Sequence, residues 1–233
     1  MWLQTNFVQG LAGGSLERLL ITLASGFENL ALGLHKNADT LRLIRETRRQ
    51  RKWLLTSNEA FLIHSLARSQ SQVPGAIAEV GVFEGGSARM ICESKGEVAL
   101  HLFDTFSGLP SAGEFDACIH REKKNLYACS LESVQDYLRS FPNVHFHKGL
   151  FPHSAGGVPR EEVFSFVHLD VDLYESTLNC LHYFYPRMRS GGVMLSHDYS
   201  ILHGVRKAFS EFFHDKPEQL IELPTTQCLV LKI

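Results

Sequence analysis

Residues 77–87 read Ile77-Ala78-Glu79-Val80-Gly81-Val82-Phe83-Glu84-Gly85-Gly86-Ser87. A short apolar run enters a glycine turn, and a helical pattern follows from about Ser87, so the segment predicts strand, turn and helix. Glycines at such a turn let the backbone approach a ligand closely and adopt positive φ. The spacing G-x-x-x-G-G departs from the dinucleotide fingerprint G-x-G-x-x-G, and Glu79 and Glu84 oppose a bound pyrophosphate. A cation or a hydroxyl-rich cofactor suits this turn better; the plain alternative is a tight turn with no ligand.

Downstream the same alternation repeats. Strands are expected over residues 98–103, 144–147, 164–169, 192–196 and 228–233, with helices over 131–139, 177–187 and 205–213 between them. Strands alternating with helices imply parallel pairing through right-handed crossovers, hence a doubly wound α/β sheet. Residues 105–130 form a long loop-like stretch of the kind that serves as a lid or substrate loop. Upstream, Leu16, Leu19, Leu20, Leu23 and Phe27, then Leu41, Ile44, Trp53 and Leu54, keep helical spacing. A third helix is expected where Ser57-Asn58-Glu59-Ala60 caps residues 61–68, and Pro74-Gly75 ends it. The chain thus divides into a helical N-terminal extension, residues 1–75, and a sheet domain, residues 76–233. The extension is expected to shape a substrate pocket or a homodimer contact, the latter through the leucine stripe of residues 16–34.

Composition narrows the function classes. The chain has 233 residues, 44% hydrophobic and 21% charged, with 23 Lys+Arg against 25 Asp+Glu and a formal charge of −2. Disorder requires lower hydrophobicity and more net charge. A nearly neutral chain lacks the domain-wide positive field that holds nucleic acid. The cations that do cluster, Arg42, Arg45, Arg48, Arg49, Arg51 and Lys52, read either as a solvated helix face or as a patch for a partner or anionic substrate. The five cysteines, Cys92, Cys118, Cys129, Cys180 and Cys228, contain no C-x-x-C pair, so a reducing cytoplasm fits better than a disulfide framework or thiolate zinc site. No basic segment with an apolar core and cleavage site opens the sequence, and Glu17, Arg18, Glu28 and Asn29 make residues 16–34 too polar to span a membrane.

Ligands of open α/β sheets bind beyond the carboxyl ends of the strands. Asp104 ends the second strand, where an acid can accept hydrogen bonds from ribose hydroxyls or merely cap a helix. The fourth strand ends in His168-Leu169-Asp170-Val171-Asp172-Leu173-Tyr174-Glu175-Ser176-Thr177 and the fifth in Ser196-His197-Asp198-Tyr199. Adjacent strands therefore bring Asp170, Asp172, His197 and Asp198 to one rim. Crowded carboxylates favour a hard divalent cation, and a histidine among them also admits Mn²⁺, Fe²⁺ or Zn²⁺; the alternative is capping of the helices that follow. His145, His147, His153 and His182 have no ligand spacing and are expected on the surface or in packing.

Together these segments resemble the macrocin O-methyltransferase (TylF/MycF-like) family. The motifs are Glu79-x-Gly81-Val82-x-x-Gly85-Gly86-Ser87, Asp104-x-Phe106-x-Gly108-Leu109-Pro110, Lys148-Gly149-x-Phe151, Leu169-Asp170-x-Asp172-Leu173-Tyr174-Glu175-Ser176-Thr177, and Gly191-Gly192 followed by His197-Asp198-Tyr199. They occur in family order over residues 76–210, and the Asp-x-Asp-Leu-Tyr-Glu-Ser-Thr run is the most specific. The resemblance implies a Rossmann-like class I methyltransferase, mostly parallel and seven-stranded with an antiparallel last strand. It implies S-adenosylmethionine as cofactor and a sugar or aromatic hydroxyl of a small molecule as acceptor. Glu79, Gly81, Gly85, Ser87, Asp104 and Asp170 would hold the cofactor, Asp170 and Asp198 a magnesium ion, and Asp172 would be the general base. The family usually has Asp-Asp-Tyr where this chain has His197-Asp198-Tyr199. Either His197 coordinates a softer ion, or the metal is weak or absent and His197 itself serves as base. Rival readings are a nicotinamide-dependent oxidoreductase on the same sheet and a non-catalytic binding protein using the arginine-rich helix.

Overall fold

A computed structural model describes residues 15–116 and 125–233. Three helices lead the chain: α1 (Ser15–Gly33), α2 (Ala38–Gln50) and α3 (Ser57–Gln70). The alternating part follows as β1 (Ala76–Val80), α4 (Gly86–Cys92), β2 (Leu100–Asp104), α5 (Leu131–Leu138), β3 (Val144–Lys148), β4 (Phe164–Leu169), α6 (Tyr174–Phe184), β5 (Met188–Ser196) and α7 (His203–Phe212). A hairpin of β6 (Ile221–Glu222) and β7 (Cys228–Leu231) ends it. The seven strands run in the order β3-β2-β1-β4-β5-β7-β6. β1 to β5 pair in parallel, while β7 is antiparallel to β5 and β6 to β7. The expected doubly wound sheet with an antiparallel closing strand is therefore present, and the order reverses between β1 and β4.

The central strands are apolar because both their faces are covered: every residue of β1 and of β4 is buried. One face packs Ile77, Leu100, Leu102, Phe166, Val193 and Leu195 against α2, α3 and α4, through Ile44, Ala60, Ile63, Ala88 and Ile91. The other packs Phe103, Phe164, Val167 and Met194 against α6 and α7, through Phe184, Val205 and Phe209. The N-terminal helices thus share a core with the sheet.

Trp53 and Leu54 fall outside the helix that their spacing suggested. Helix α2 stops at Gln50, and Arg51 is extended at φ −135°, ψ 151°. Trp53 is buried instead against the start of α4, where a Cβ on Gly86 would come within 2.7 Å of its ring. The cationic run is largely tied down locally: Arg48 donates to Ser25 Oγ and Leu55 O, Arg51 to Ser133 Oγ and O, and Lys52 pairs with Glu84. Cys118 and most of the stretch between Gly113 and Tyr127 lie outside the described residues.

Helix α1 is turned the opposite way from most surface helices. Its polar side faces inward: Ser25 Oγ meets Ser57 Oγ at 2.8 Å, and Glu28 Oε2 accepts from Asn58 N at 2.8 Å. Its apolar residues Leu19, Leu20, Leu23, Phe27 and Leu30, with Leu34 just past its end, are each more than half exposed.

Candidate active site

The ends of β1, β2, β4 and β5 open on one cavity of about 380 Å³. Gly81, Ser87, Asp104, Asp170, Asp172, His197 and Asp198 all line it. Its floor depends on Gly81. That residue has φ +88°, and a Cβ there would lie 1.8 Å from Asp170 O. Asp170 N donates to Val80 O at 2.9 Å and His197 N to Leu169 O at 2.8 Å, so three neighbouring strand ends are locked in register where the cavity begins.

Asp104 spends most of its carboxylate on the chain itself. Oδ2 accepts from Val82 N at 2.7 Å and Phe83 N at 2.9 Å, while Oδ1 accepts from Phe106 N at 2.7 Å. A carboxylate offers roughly four acceptor positions, which leaves about one for a ribose hydroxyl. Asp104 therefore shapes the glycine turn as well as facing the cavity.

Glu79 and Gly85 do not line the cavity. Glu79 is fully buried and its Oε1 meets His168 Nδ1 at 2.8 Å, also fully buried. Burial pushes the Glu79 carboxyl above its usual range against the pull of His168. Gly85 takes φ +79° to start α4, where a Cβ would press on Val134 Cγ1 at 2.9 Å.

The rim between β4 and β5 carries the charge. His197 Nδ1 lies 3.2 Å from Asp170 Oδ1 and 3.2 Å from Asp198 Oδ1, and Nε2 lies 3.6 Å from Glu59 Oε2. Glu59 is itself fixed: Oε2 accepts from Thr56 N at 2.8 Å, and Oε1 from Thr226 Oγ1 at 2.6 Å and Thr226 N at 3.2 Å. Burial alone would lower the His197 pKa, but the charges of Asp198, Asp170 and Glu59 raise it well above the ordinary histidine value. Burial likewise works against ionising Asp170 and Glu59, and the His197 charge overrides it, so both carboxyls stay below their usual range. Asp172 and Asp198 hold φ values of +59° and +57°. Two aspartates in a region that side chains rarely adopt, both on the rim of one cavity, fit strain concentrated at a working site.

Comparison with known proteins follows the same lines. The profile of the macrocin-O-methyltransferase (TylF) family matches residues 62–227. The chain belongs to this family. A relative from Streptomyces olivaceus, 8-demethyl-8-(2,3-dimethoxy-alpha-L-rhamnosyl)-tetracenomycin-C 4'-O-methyltransferase, is 32% identical over 55% of this chain and 54% of its own. Demethyldecarbamoylnovobiocin O-methyltransferase of Streptomyces niveus is 28% identical over 61% of this chain and 59% of its own. The chain spans little more than half the length of these curated relatives. In fold it is similar to the O-methyltransferase NovP, with TM-score 0.67 and 23% identity over 77% of this chain and 81% of that one. It is also similar to an O-methyltransferase from Bacillus cereus solved in complex with SAH, with TM-score 0.59 and 14% identity over 91% of this chain and all of that one.

Within this family framework, the cavity suits the expected cofactor better than it suits magnesium. Its volume lies within the range of small-ligand sites, and its acidic rim suits a cofactor carrying a sulfonium and an ammonium group. For a metal, Asp170, His197 and Asp198 each place one ligand atom within 4.8 Å of the others. The donors are nevertheless wrong for magnesium, which takes a full shell of oxygens. Two carboxylates with a histidine nitrogen suit Mn²⁺, Fe²⁺ or Zn²⁺ instead, and Glu59 lies 3.6 Å behind the other ring nitrogen.

Several cavity residues escaped the sequence reading. The sequence pattern places Glu59 only in a helix start. It is indeed N3 of a capping box whose N-cap is Thr56, not Ser57, but its side chain also reaches the rim. Thr226 on the closing hairpin, Trp53, Tyr127, and Leu20 and Ile21 of α1 also line the cavity. The capping signature was the one available signal for Glu59; the others became neighbours only through the fold.

Proposed function

We propose that this protein transfers a methyl group from S-adenosylmethionine to a hydroxyl of a small molecule, a sugar or aromatic natural product. The observation that carries the reading is the cavity at the switch point of the sheet, where Gly81, Asp104, Asp170 and Asp172 converge. The acceptor class is suggested by the names of the relatives, O-methyltransferases of a rhamnosyl-tetracenomycin and of demethyldecarbamoylnovobiocin. When bound, the cofactor supplies a methyl group on a sulfonium, whose leaving group is neutral. The chain's task is then to align the acceptor oxygen and remove its proton. Ser87 and Asp104 would hold the cofactor, and Asp170 would face its cationic end. Asp172 would accept the acceptor's proton. Leu20, Ile21, Leu109 and Tyr127 would shield the reacting atoms from water.

The outward leucine stripe of α1 supports pairing of two copies of the chain, and light scattering that shows a monomer at micromolar concentration would refute it. Cys92, Cys129, Cys180 and Cys228 are free thiols, which supports a reducing compartment such as the cytoplasm. Among the described residues no helix is long and apolar enough to cross a membrane.

The test is calorimetric titration with S-adenosylhomocysteine, then mass spectrometry of methylated products from a panel of deoxysugar glycosides and phenols. Asp172→Asn should lower turnover about 10²- to 10⁴-fold, the range of a lost general base, with cofactor affinity kept. Absence of cofactor binding would remove the proposal.

A further inference from the structure

We propose that Asp116 is a positioning residue for methyl transfer: it fastens the loop that walls the cavity to the start of α6, and so holds the backbone turn that aims Asp172. The inference rests on the reading of Asp172 as the base of this cavity. Asp116 itself does not line the cavity.

Asp116 is buried, and its two carboxylate oxygens serve two different segments. Oδ1 accepts from Tyr174 N at 2.7 Å and Oδ2 from Gly113 N at 2.6 Å. Tyr174 opens α6, and its N-cap Leu173 offers no capping side chain. Asp116 supplies that cap from 58 residues away. Helix α7, with Leu202 at its N-cap, has no capping side chain either, and its first turn closes on the same carboxylate. A Cβ on Gly204 would come within 2.5 Å of Asp116 Oδ1 and 3.1 Å of Tyr174 N. A carboxylate between two helix N-termini is well placed for both dipoles. Beside it, Phe115 meets the Tyr174 ring edge-on at 5.0 Å, and Lys207 of α7 holds Nζ 4.5 Å from the Phe115 centroid. Loop, α6 and α7 thus meet at one side chain.

What this junction fixes is the turn between β4 and α6. Asp172 holds φ +59° there, a conformation that persists only where the surroundings over-determine it. One end of the turn is held by Asp170 N, which donates to Val80 O at 2.9 Å. The other is held by Asp116 at Tyr174 N, two residues beyond Asp172. Without that second anchor the turn can relax and carry the Asp172 carboxyl with it. Through Gly113 the same carboxylate holds the loop whose Gly108, Leu109 and Pro110 line the cavity. Wall and base are therefore set together, and Asp172 takes its working position when the loop is docked.

The experiment is a double-mutant cycle on the full chain. Cofactor affinity is measured by calorimetry with S-adenosylhomocysteine. Turnover is measured on p-nitrophenyl α-L-rhamnoside, or on another glycoside or phenol of the panel that wild type methylates. Asp116→Asn replaces one of two acceptors with an N–H donor that faces an N–H. It should lower kcat about 10- to 10²-fold, the scale of a misplacement of about 1 Å, with S-adenosylhomocysteine affinity unchanged. In an Asp172→Asn background the same substitution should lower kcat no further, because it acts through that side chain. A merely structural role would lower melting temperature and cofactor affinity together, and the two losses in kcat would multiply. Should Asp116→Asn fail to fold, Gly204→Ala takes its place in the cycle. Alanine suits a helix better than glycine, but its Cβ displaces the Asp116 carboxylate, so kcat should fall in a folded chain. Wild-type kcat in a folded Asp116→Asn chain, or a loss that multiplies with that of Asp172→Asn, would overturn the proposal. Wild-type turnover in Asp172→Asn alone would instead remove the base assignment on which it rests.

Discussion

His101 and His197 are both buried, the first within β2 and the second one residue past the end of β5. His101 sits on the aromatic face, stacked on His147 with ring centroids 5.2 Å apart and edge-on to Phe164 at 6.0 Å. Its Nδ1 shares a hydrogen bond with His147 Nε2 at 3.0 Å. Burial, reinforced by His147 and His145, pushes its pKa down to about 4, so it is neutral at physiological pH. His197 is buried to a similar degree, but three carboxylates surround it and its pKa moves the other way. Burial is thus common to both, and neighbouring charge decides the outcome. The same contrast divides their surroundings. The aromatic face holds Phe103, Phe151, Phe164, Phe184 and Phe209 in ring-to-ring packing; the rim carries the ionised cluster.

The sharpest way to break the contrast is at the seam that both regions share. Gly81→Ala would put a methyl group into Asp170 O in a backbone conformation alanine resists. We expect a loss of about 4 kcal/mol or more, among the rare large single-residue effects, read as an insoluble chain or one without cofactor affinity. Near-normal urea stability would show that β1 and β4 can separate at this point. On the aromatic face, Phe184→Ala should cost about 3–5 kcal/mol through lost burial and the cavity left behind. Cofactor affinity of the folded fraction, by calorimetry, should not change.

At the charged rim, His197→Gln should cost about 3 kcal/mol or more near neutral pH, because three carboxylates remain without their cation. Its pH signature separates it from a packing defect. The folded His197 pKa is raised, so its stabilisation is full below the unfolded value of about 6.5 and is lost as pH rises through the folded one. The folded Glu59 pKa is depressed, so its contribution is full above about 4.3 and is lost on acidification. Wild type should therefore weaken on both sides of a mildly acidic window, and His197→Gln should lose the alkaline slope. A slope that persists in the variant would assign it to another group. The smallest effect is expected for His101→Phe: a similar-sized ring in an aromatic setting should stay within about 1.5 kcal/mol of wild type. A larger loss in chemical denaturation would mean that the bond to His147 outweighs packing.

The fold was legible where apolar runs end abruptly. Phe164–Leu169 is bounded as its pattern predicts, since a fully buried strand must be apolar until it reaches the carboxylates at the rim. β6 has only two residues, too few to show alternation, and its pairing with β7 comes from the hairpin. Asp170, Asp172, His197 and Asp198 were legible because adjacent strand ends bring them together by topology. Glu59 was not, because what makes it part of the site is the packing of α3 across the sheet, and no local pattern records that. Glu79 is the converse case: its place in a family motif points to the cofactor, while in the structure it is buried against His168 and does not line the cavity.

Glu59 also limits how this chain can be re-engineered. It belongs to α3 by sequence, to the closing hairpin through Thr226, and to the centre of the site through His197. A chimera that borrowed its leading helices from another family member, to gain that member's acceptor preference, would import a foreign residue into the electrostatic setting of position 197. Residues 59 and 197 would have to be exchanged as a pair.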